Sequence, residues 1–180
     1  MVEPGSASHG ADVAGRVRSA LESFLARQRD VLTEISPDLA PVAAALGDFL
    51  LDGGKRLRPA FAYWGWRGAG GEDGADIVAA VASLELVHAC ALIHDDVMDG
   101  SDTRRGQPSI HRRFAELHRE GQWQGDADQF GRAAAILLGD TCLVWADLAL
   151  NTSGIASEAL LRARPTYDRM RVELMSGQYL

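Results

Sequence analysis

Apolar residues recur along most of the chain at intervals of three and four positions, the spacing that places them on one face of an α-helix. In the first such stretch Val13, Val17, Leu21 and Phe24 follow this spacing. The pattern is broken at Gly-rich, Pro-containing and Asn-containing segments, which interrupt helices. It predicts seven helices, over residues 12–35, 39–51, 55–66, 76–99, 111–119, 126–150 and 157–180, the last interrupted near Pro165.

The fourth predicted helix is apolar on every side between Ile77 and Ile93, which is close to the length of a membrane span. Glu85 and His88 interrupt this stretch, and three aspartates follow it. Because a charged group near the middle of a bilayer costs several kcal/mol, we expect a core helix and no transmembrane segment.

Composition narrows the fold class. The chain has 180 residues, with 28 Ala against 22 Val, Ile and Thr together, a balance that favours helices over sheets. We therefore expect an all-α fold of one domain or part of one. The net charge of -7 argues against a nucleic-acid-binding protein, which needs cations to neutralise phosphates.

Two features bear on location. Residues 1–11 lack the basic and apolar regions of a signal peptide, so we expect a flexible leader there. Cys90 and Cys142 lie in apolar stretches, which is typical of reduced thiols in a core and predicts a cytoplasmic protein.

Three carboxylates, Asp95, Asp96 and Asp99, fall at the end of the long apolar helix. Asp95 and Asp99 are four residues apart and share a helical face, separated by about 6 Å along the axis. Like charges at the negative end of a helix repel one another, and Mg²⁺ prefers such oxygen ligands together with substrate phosphates. A metal site is the favoured interpretation, and a solvated acidic helix end is the alternative.

His88 shares the helical phase of Asp95 and lies about 10.5 Å before it along the axis. A substrate ligand and a core histidine with satisfied hydrogen bonds are both open interpretations of this position.

A second cluster, in the segment from Gly53 to Pro59, joins two glycines to Lys55 and Arg58. Lys55 is the one lysine of the chain. Backbone N–H groups at a helix start, beside Lys and Arg, can bind a diphosphate, although a surface turn explains the segment equally well.

Arg104 and Arg105 follow the acidic cluster in a polar loop, five and six residues after Asp99. Their guanidinium groups can donate two hydrogen bonds to one phosphate. The chain therefore combines a subsite for a metal-bound anion with a subsite built from fixed cations.

These segments resemble the trans-type polyprenyl diphosphate synthases, which elongate isoprenyl chains head to tail. The resemblance runs from about Leu50 to Leu180 and implies an isoprenoid-synthase-type helical bundle, of which residues 12–180 would form the N-terminal half. The matching motifs are GGKRLRP at 53–59, ELVHACALIHDDVMD at 85–99, RRGQPSIH at 104–111, LLGD at 137–140 and ELMSGQYL at 173–180.

The resemblance also implies roles for residues. Asp95 and Asp99 would bind Mg²⁺ on the diphosphate of an allylic substrate, Asp96 would support them, and Arg104 would contact the same diphosphate. The residues implied for the diphosphate of isopentenyl diphosphate are Lys55, Arg58, His88 and Arg105.

Product length would depend on the helix that precedes the acids. Early-terminating members of the family carry bulky aromatic residues four and five positions before the first aspartate. Ala91 and Cys90 stand there, with Val87 one turn further, and we expect a product of geranylgeranyl length or longer. A homodimer is also implied by the resemblance.

One feature departs from the family pattern. The family carries a second Asp-rich motif preceded by a Lys-Thr pair, and neither occurs in these 180 residues. We therefore expect weak or no turnover from this chain alone. A prenyl-diphosphate-binding or dimerising subunit is one alternative, and a metal phosphohydrolase that uses His94 and Asp95 as an HD pair is another.

Overall fold

The computed structural model describes residues 12–180, and the leader expected over residues 1–11 lies outside them. The all-α prediction is confirmed within this range. The helices are α1 (Val13–Ile35), α2 (Ala40–Leu51), α3 (Leu57–Gly68), α4 (Ala75–Met98), α5 (Ile110–Glu120), α6 (Ala127–Asn151) and α7 (Ser157–Tyr179), with a 3₁₀ turn at Pro37–Leu39.

Three local details differ from the prediction. Helix α3 begins at Leu57, because Arg56 adopts a left-handed backbone conformation with φ 49°. Pro165 lies inside α7 without ending it, although it removes one backbone donor. The loop after α4 contains two short antiparallel strands, β1 (Thr103–Arg104) and β2 (Gln107–Pro108).

The turn between the two strands explains the hairpin. Arg105 and Gly106 have φ values of 54° and 78°, and two successive positive φ values match the right-handed twist of a tight hairpin. In the register Thr103 faces Pro108 and Arg104 faces Gln107.

The chain divides into two compact units. The first comprises Met1–Glu85, described from residue 12, together with Ala146–Pro165. In it α1 packs against α2 and α3. The side chains of Val17, Leu21, Leu46 and Tyr63 are fully buried at its centre, as the three- and four-residue spacing predicts.

The second unit comprises Leu86–Trp145 and Thr166–Leu180. Its core includes Leu86 and Ile93 from α4, Phe114 from α5 and Cys142 from α6. Helix α6 begins with a side-chain cap, since the Asp126 carboxylate accepts a hydrogen bond of 2.8 Å from the backbone N–H of Gln129. This cap agrees with the helix start predicted at residue 126.

Helices α4 and α6 are each long and apolar enough to cross a membrane by length and composition alone. Within the structure 67% of the apolar stretch of α4 is buried, against 39% for α6. The burial of α4 is that of a core helix.

Candidate active site

The three aspartates at the end of α4 lie in different environments. Asp96 is 1% exposed, Asp95 is half-buried and Asp99 is exposed. The helix end is capped by its own backbone, because the N–H of Asp99 donates to the carbonyl of Asp95 at 2.8 Å and that of Ser101 to the carbonyl of Asp96 at 2.9 Å. The cap brings the following hairpin back toward the acids.

Arg104, on β1, is the cation that meets these acids. Its Nε donates to Oδ1 of Asp96 at 2.9 Å, and its Nη2 also bonds that oxygen. The same Nη2 lies 3.4 Å from Oδ2 of Asp95. The hydrogen bond with Asp96 is the main cause that raises the pKa of Arg104 above its ordinary value, so the guanidinium is held in its charged form.

Sequence reasoning missed Gln178 as a partner of these acids. The side chain of Gln178, near the end of α7, donates from Nε2 to Oδ1 of Asp95 at 2.8 Å. The motif around Gln178 was recognised, but a contact across 83 sequence positions leaves no periodic signal. Gln178 and Arg104 therefore contact the two different oxygens of Asp95.

The carboxylates fit Mg²⁺ by their chemistry. Asp95 and Asp99 offer hard oxygen donors one turn apart, and Mg²⁺ is commonly held by one or two carboxylates completed by waters and substrate phosphates. Among residues 12–180 no group of three or more His, Cys, Asp or Glu side chains is already arranged to hold a metal ion. Asp96 is turned toward Arg104, and its Oδ2 is buried without a hydrogen-bond partner among the described residues.

An apolar cavity of about 220 Å³ lies in the same unit. Val87, Cys90 and Ala91, the three residues expected to set product length, all line it. Leu174 and Met175 of α7 also line it. The structure therefore brings the three positions together on one apolar surface.

The cavity reaches the acidic cluster through Gln178, which lines it and also bonds Asp95. Burial raises the pKa of the Cys90 thiol to about 11, so this thiol is neutral at pH 7, and Arg171 is the one arginine among the residues that line the cavity. A polar end beside an apolar cavity can accept a ligand with an anionic head and a hydrocarbon tail.

His88 is half-buried on α4. It shares the helical phase of Asp95, as expected, and it does not belong to the described residues that line the cavity. The cavity-lining residues of α4 lie on the adjacent side of the helix, so His88 and the cavity occupy different faces of α4.

His94, the histidine of the alternative HD pair, is directed away from Asp95. Its Nε2 donates to the carbonyl of Ile136 at 3.0 Å and lies 3.7 Å from Oδ1 of Asp140. A side chain at Gly139 would collide with the imidazole, so glycine there permits the close approach of α6. Since His94 and Asp95 have separate partners, the geometry argues against a shared metal between them.

The second predicted anion cluster lies in the first unit. Lys55 and Arg58 are exposed, on either side of the start of α3. Gly53 and Gly54 have φ values of 67° and 99°, a conformation that glycine adopts readily. Arg105, the other implied arginine, is exposed at the hairpin turn of the second unit.

Comparisons with known proteins give a consistent result. The sequence profile of the polyprenyl synthetase family matches residues 40–180. A similar solved structure is the geranylgeranyl pyrophosphate synthase of Corynebacterium glutamicum, crystallised with isoprenyl diphosphate and magnesium. It is 41% identical, with a TM-score of 0.87 over 93% of this chain and 48% of that chain.

Curated relatives point the same way. The geranylgeranyl pyrophosphate synthase of Geoglobus acetivorans is 34% identical over 132 residues, which cover 73% of this chain and 36% of the relative. The geranylgeranyl diphosphate synthase of Methanosarcina mazei is 35% identical over 133 residues, with the same two coverages of 73% and 36%. The chain thus spans about half the length of the solved relative and little more than a third of these two.

Proposed function

Since the chain belongs to the polyprenyl synthetase family, we propose that it binds an allylic prenyl diphosphate and condenses it head to tail with isopentenyl diphosphate. The observation that carries this proposal is the joining of the Asp95–Arg104 cluster to the apolar cavity through Gln178. A prenyl diphosphate has the same two parts, an anionic head and a hydrocarbon tail. The solved synthase of Corynebacterium glutamicum, with its isoprenyl diphosphate and magnesium, supports the assignment.

Asp95 and Asp99 are the residues that would hold Mg²⁺. The ion, when bound, neutralises the diphosphate leaving group so that the allylic C–O bond can ionise. Arg104 supplies a fixed positive charge beside the same head group, and its place is determined by Asp96. The apolar cavity shields the allylic carbon from water, which would otherwise react with the carbocation formed there.

Lys55, Arg58, His88 and Arg105 would bind the diphosphate of isopentenyl diphosphate. The exposure of Lys55, Arg58 and Arg105 leaves their charges accessible to a ligand. Fixed cations hold this second substrate without ionising it, so that its double bond is positioned for attack on the allylic carbon.

The small side chains in the cavity support a product of geranylgeranyl length or longer. Ala91 and Cys90 leave the volume beyond the head group open. Ala91→Phe is expected to shorten the product by filling the cavity, whereas Arg113→Phe, at an exposed site on α5, should leave its length unchanged. Chromatography of the dephosphorylated products measures this, and equal lengths in the Ala91→Phe variant and the native enzyme would contradict the assignment.

A homodimer is part of the proposal. Helix α6 carries an exposed apolar stripe of Leu137, Val144 and Leu148, spaced at seven and four residues and therefore on one face. A second copy of the chain would cover this face.

We also propose that the protein is cytoplasmic, where its two thiols stay reduced, and cell fractionation tests that location.

Titration calorimetry with geranyl diphosphate, with and without Mg²⁺, tests the binding step, and a condensation assay with labelled isopentenyl diphosphate tests turnover. We expect Mg²⁺-dependent binding that Asp99→Asn weakens and Glu116→Gln, a change at an exposed site on α5, does not. Because the 180 residues contain one Asp-rich motif, binding without condensation would favour the interpretation as a non-catalytic subunit. Release of phosphate without chain growth would favour a hydrolase.

A further inference from the structure

Arg56 is a buried arginine inside an otherwise exposed turn. Its neighbours Lys55, Leu57 and Arg58 are exposed, whereas Arg56 itself is 7% exposed. A buried guanidinium needs partners for its charge and its donors, and the first unit supplies both. Protein groups, and not water, therefore pair the guanidinium of Arg56.

The contacts of Arg56 tie the turn to two helices. Nη1 bonds Oε2 of Glu85 on α4, whose side chain is also buried. Nη2 donates to the backbone carbonyl of Leu50, in the last turn of α2, at 2.6 Å. One side chain thus joins the end of α2 and the middle of α4 to the residue directly before α3.

The backbone at this turn is unusual. Arg56 has φ 49°, a left-handed conformation that is unfavourable for a residue with a Cβ atom. Such a conformation persists where surrounding contacts over-determine it. The two bonds of the guanidinium supply that restraint, and the two glycines before Lys55 allow the chain to enter the turn.

A buried ion pair is a poor source of net stability, because removing two charges from water offsets most of their attraction. Its contribution is better explained by the conformation that it selects. We propose that Arg56 and Glu85 are positioning residues, which hold the turn so that Lys55 and Arg58 are presented together as a diphosphate subsite. The inference rests on the proposed function, in which these two cations bind isopentenyl diphosphate.

The single lysine of the chain makes the conformation of this turn measurable. Endoproteinase Lys-C cleaves after lysine, so in the native protein it can cut only the bond between Lys55 and Arg56. Cleavage requires local opening and follows the population of the open state when closing is fast. We expect slow cleavage of the native chain and at least roughly tenfold faster cleavage of Glu85→Gln, which keeps the shape of the side chain and removes its charge.

Ligand affinity separates positioning from general destabilisation. By calorimetry, Glu85→Gln should lower the affinity for isopentenyl diphosphate by roughly tenfold. The Mg²⁺-dependent affinity for geranyl diphosphate should stay within about twofold of the native value. Arg56→Gln should have the same effect on both ligands. Asp73→Asn is the matched control, since it breaks the Arg16–Asp73 ion pair of the same unit and should leave Lys-C cleavage and both affinities unchanged.

The outcomes are distinct. If Glu85→Gln and Arg56→Gln cleave at the native rate, or if Asp73→Asn accelerates cleavage equally, the positioning role is wrong. If the native chain binds isopentenyl diphosphate and both variants bind it equally well, the turn does not act through the pair. If the native chain binds no isopentenyl diphosphate, the proposed subsite is wrong, while the Lys-C rates still decide whether the pair holds the turn.

Discussion

Replacement of Asp96 by asparagine is the sharpest test of how the acidic cluster is organised. Asp96 is 1% exposed, and its Oδ1 accepts two bonds from Arg104. Asparagine keeps the size of the side chain and removes the charge. The variant leaves the guanidinium of Arg104 facing a neutral amide in a largely buried position.

The magnitude follows from the burial of the two partners. Removing one member of a fully buried ion pair typically costs 3–5 kcal/mol. The Arg104 side chain is 29% exposed, so solvent screens part of its charge, and Asp95 remains nearby. We therefore expect Asp96→Asn to lower the free energy of unfolding by about 1–3 kcal/mol, a shift of roughly 1 M in the urea midpoint.

Urea unfolding followed by far-ultraviolet circular dichroism measures this change, with Asp99→Asn as the matched control. Asp99 is exposed on the turn that follows, so its substitution should leave the free energy of unfolding nearly unchanged. The order should reverse for ligand affinity, where Asp99→Asn weakens Mg²⁺-dependent binding of geranyl diphosphate. Equal stabilities for Asp96→Asn and the native chain, or an equal loss in Asp99→Asn, would refute the division of roles between the two aspartates.

Three further predictions follow from the same structure. Leu137→Glu, on the exposed stripe of α6, should convert a dimer to a monomer in sedimentation equilibrium, while Leu161→Glu, on α7, should not; a dimer that survives Leu137→Glu would exclude this face. Cys90 should react with iodoacetamide at pH 8 roughly a hundredfold more slowly than a free thiol, because burial raises its pKa to about 11. The contribution of the protonated thiol to the free energy of unfolding is present below pH 9.0 and lost between pH 9.0 and about 11. Rapid alkylation of Cys90 in the native protein, mapped by mass spectrometry, would contradict its burial. Burial, and secondarily the charge of Arg112, lowers the pKa of His111. The contribution of neutral His111 to the free energy of unfolding should therefore be fully present above pH 6.5 and decrease as the pH falls below that value. His111→Gln should flatten the dependence of the urea midpoint on pH, and an unchanged slope would assign that dependence to another group.

The helices could be predicted from the sequence because each one buries a face with the period of a helix. The start of α6 carried its own signal in Asp126, whose side-chain cap is observed. The start of α3 did not, because the left-handed conformation of Arg56 depends on Glu85 and the carbonyl of Leu50. Glu85 lies 29 positions further along the chain. The Leu50 carbonyl is only six positions away, but a backbone carbonyl has no signature in the sequence.

The acidic cluster and its arginine were recognisable for a different reason. Asp95, Asp96 and Arg104 lie close in the chain, so a helix end and a short loop suffice to bring them together. Gln178 comes from the far end of the described chain and meets Asp95 only through the packing of α7 within the second unit. Local spacing identifies groups on one element and its flanking loop, and it leaves contacts between distant elements undetermined.

The separate environments of the neighbouring aspartates follow from helical phase. Leu86, Ala89 and Ile93 precede Asp96 by ten, seven and three residues and form the buried side of α4, so Asp96 continues the core stripe while Asp95 is about 100° away around the helix axis. A carboxylate at a core position must be paired, and Arg104 is the cation that the following hairpin delivers. The pairing leaves Asp95 and Asp99 on the accessible face for a metal and its diphosphate. One turn of a helix thereby separates the group that orients the arginine from the groups proposed to bind the ligand.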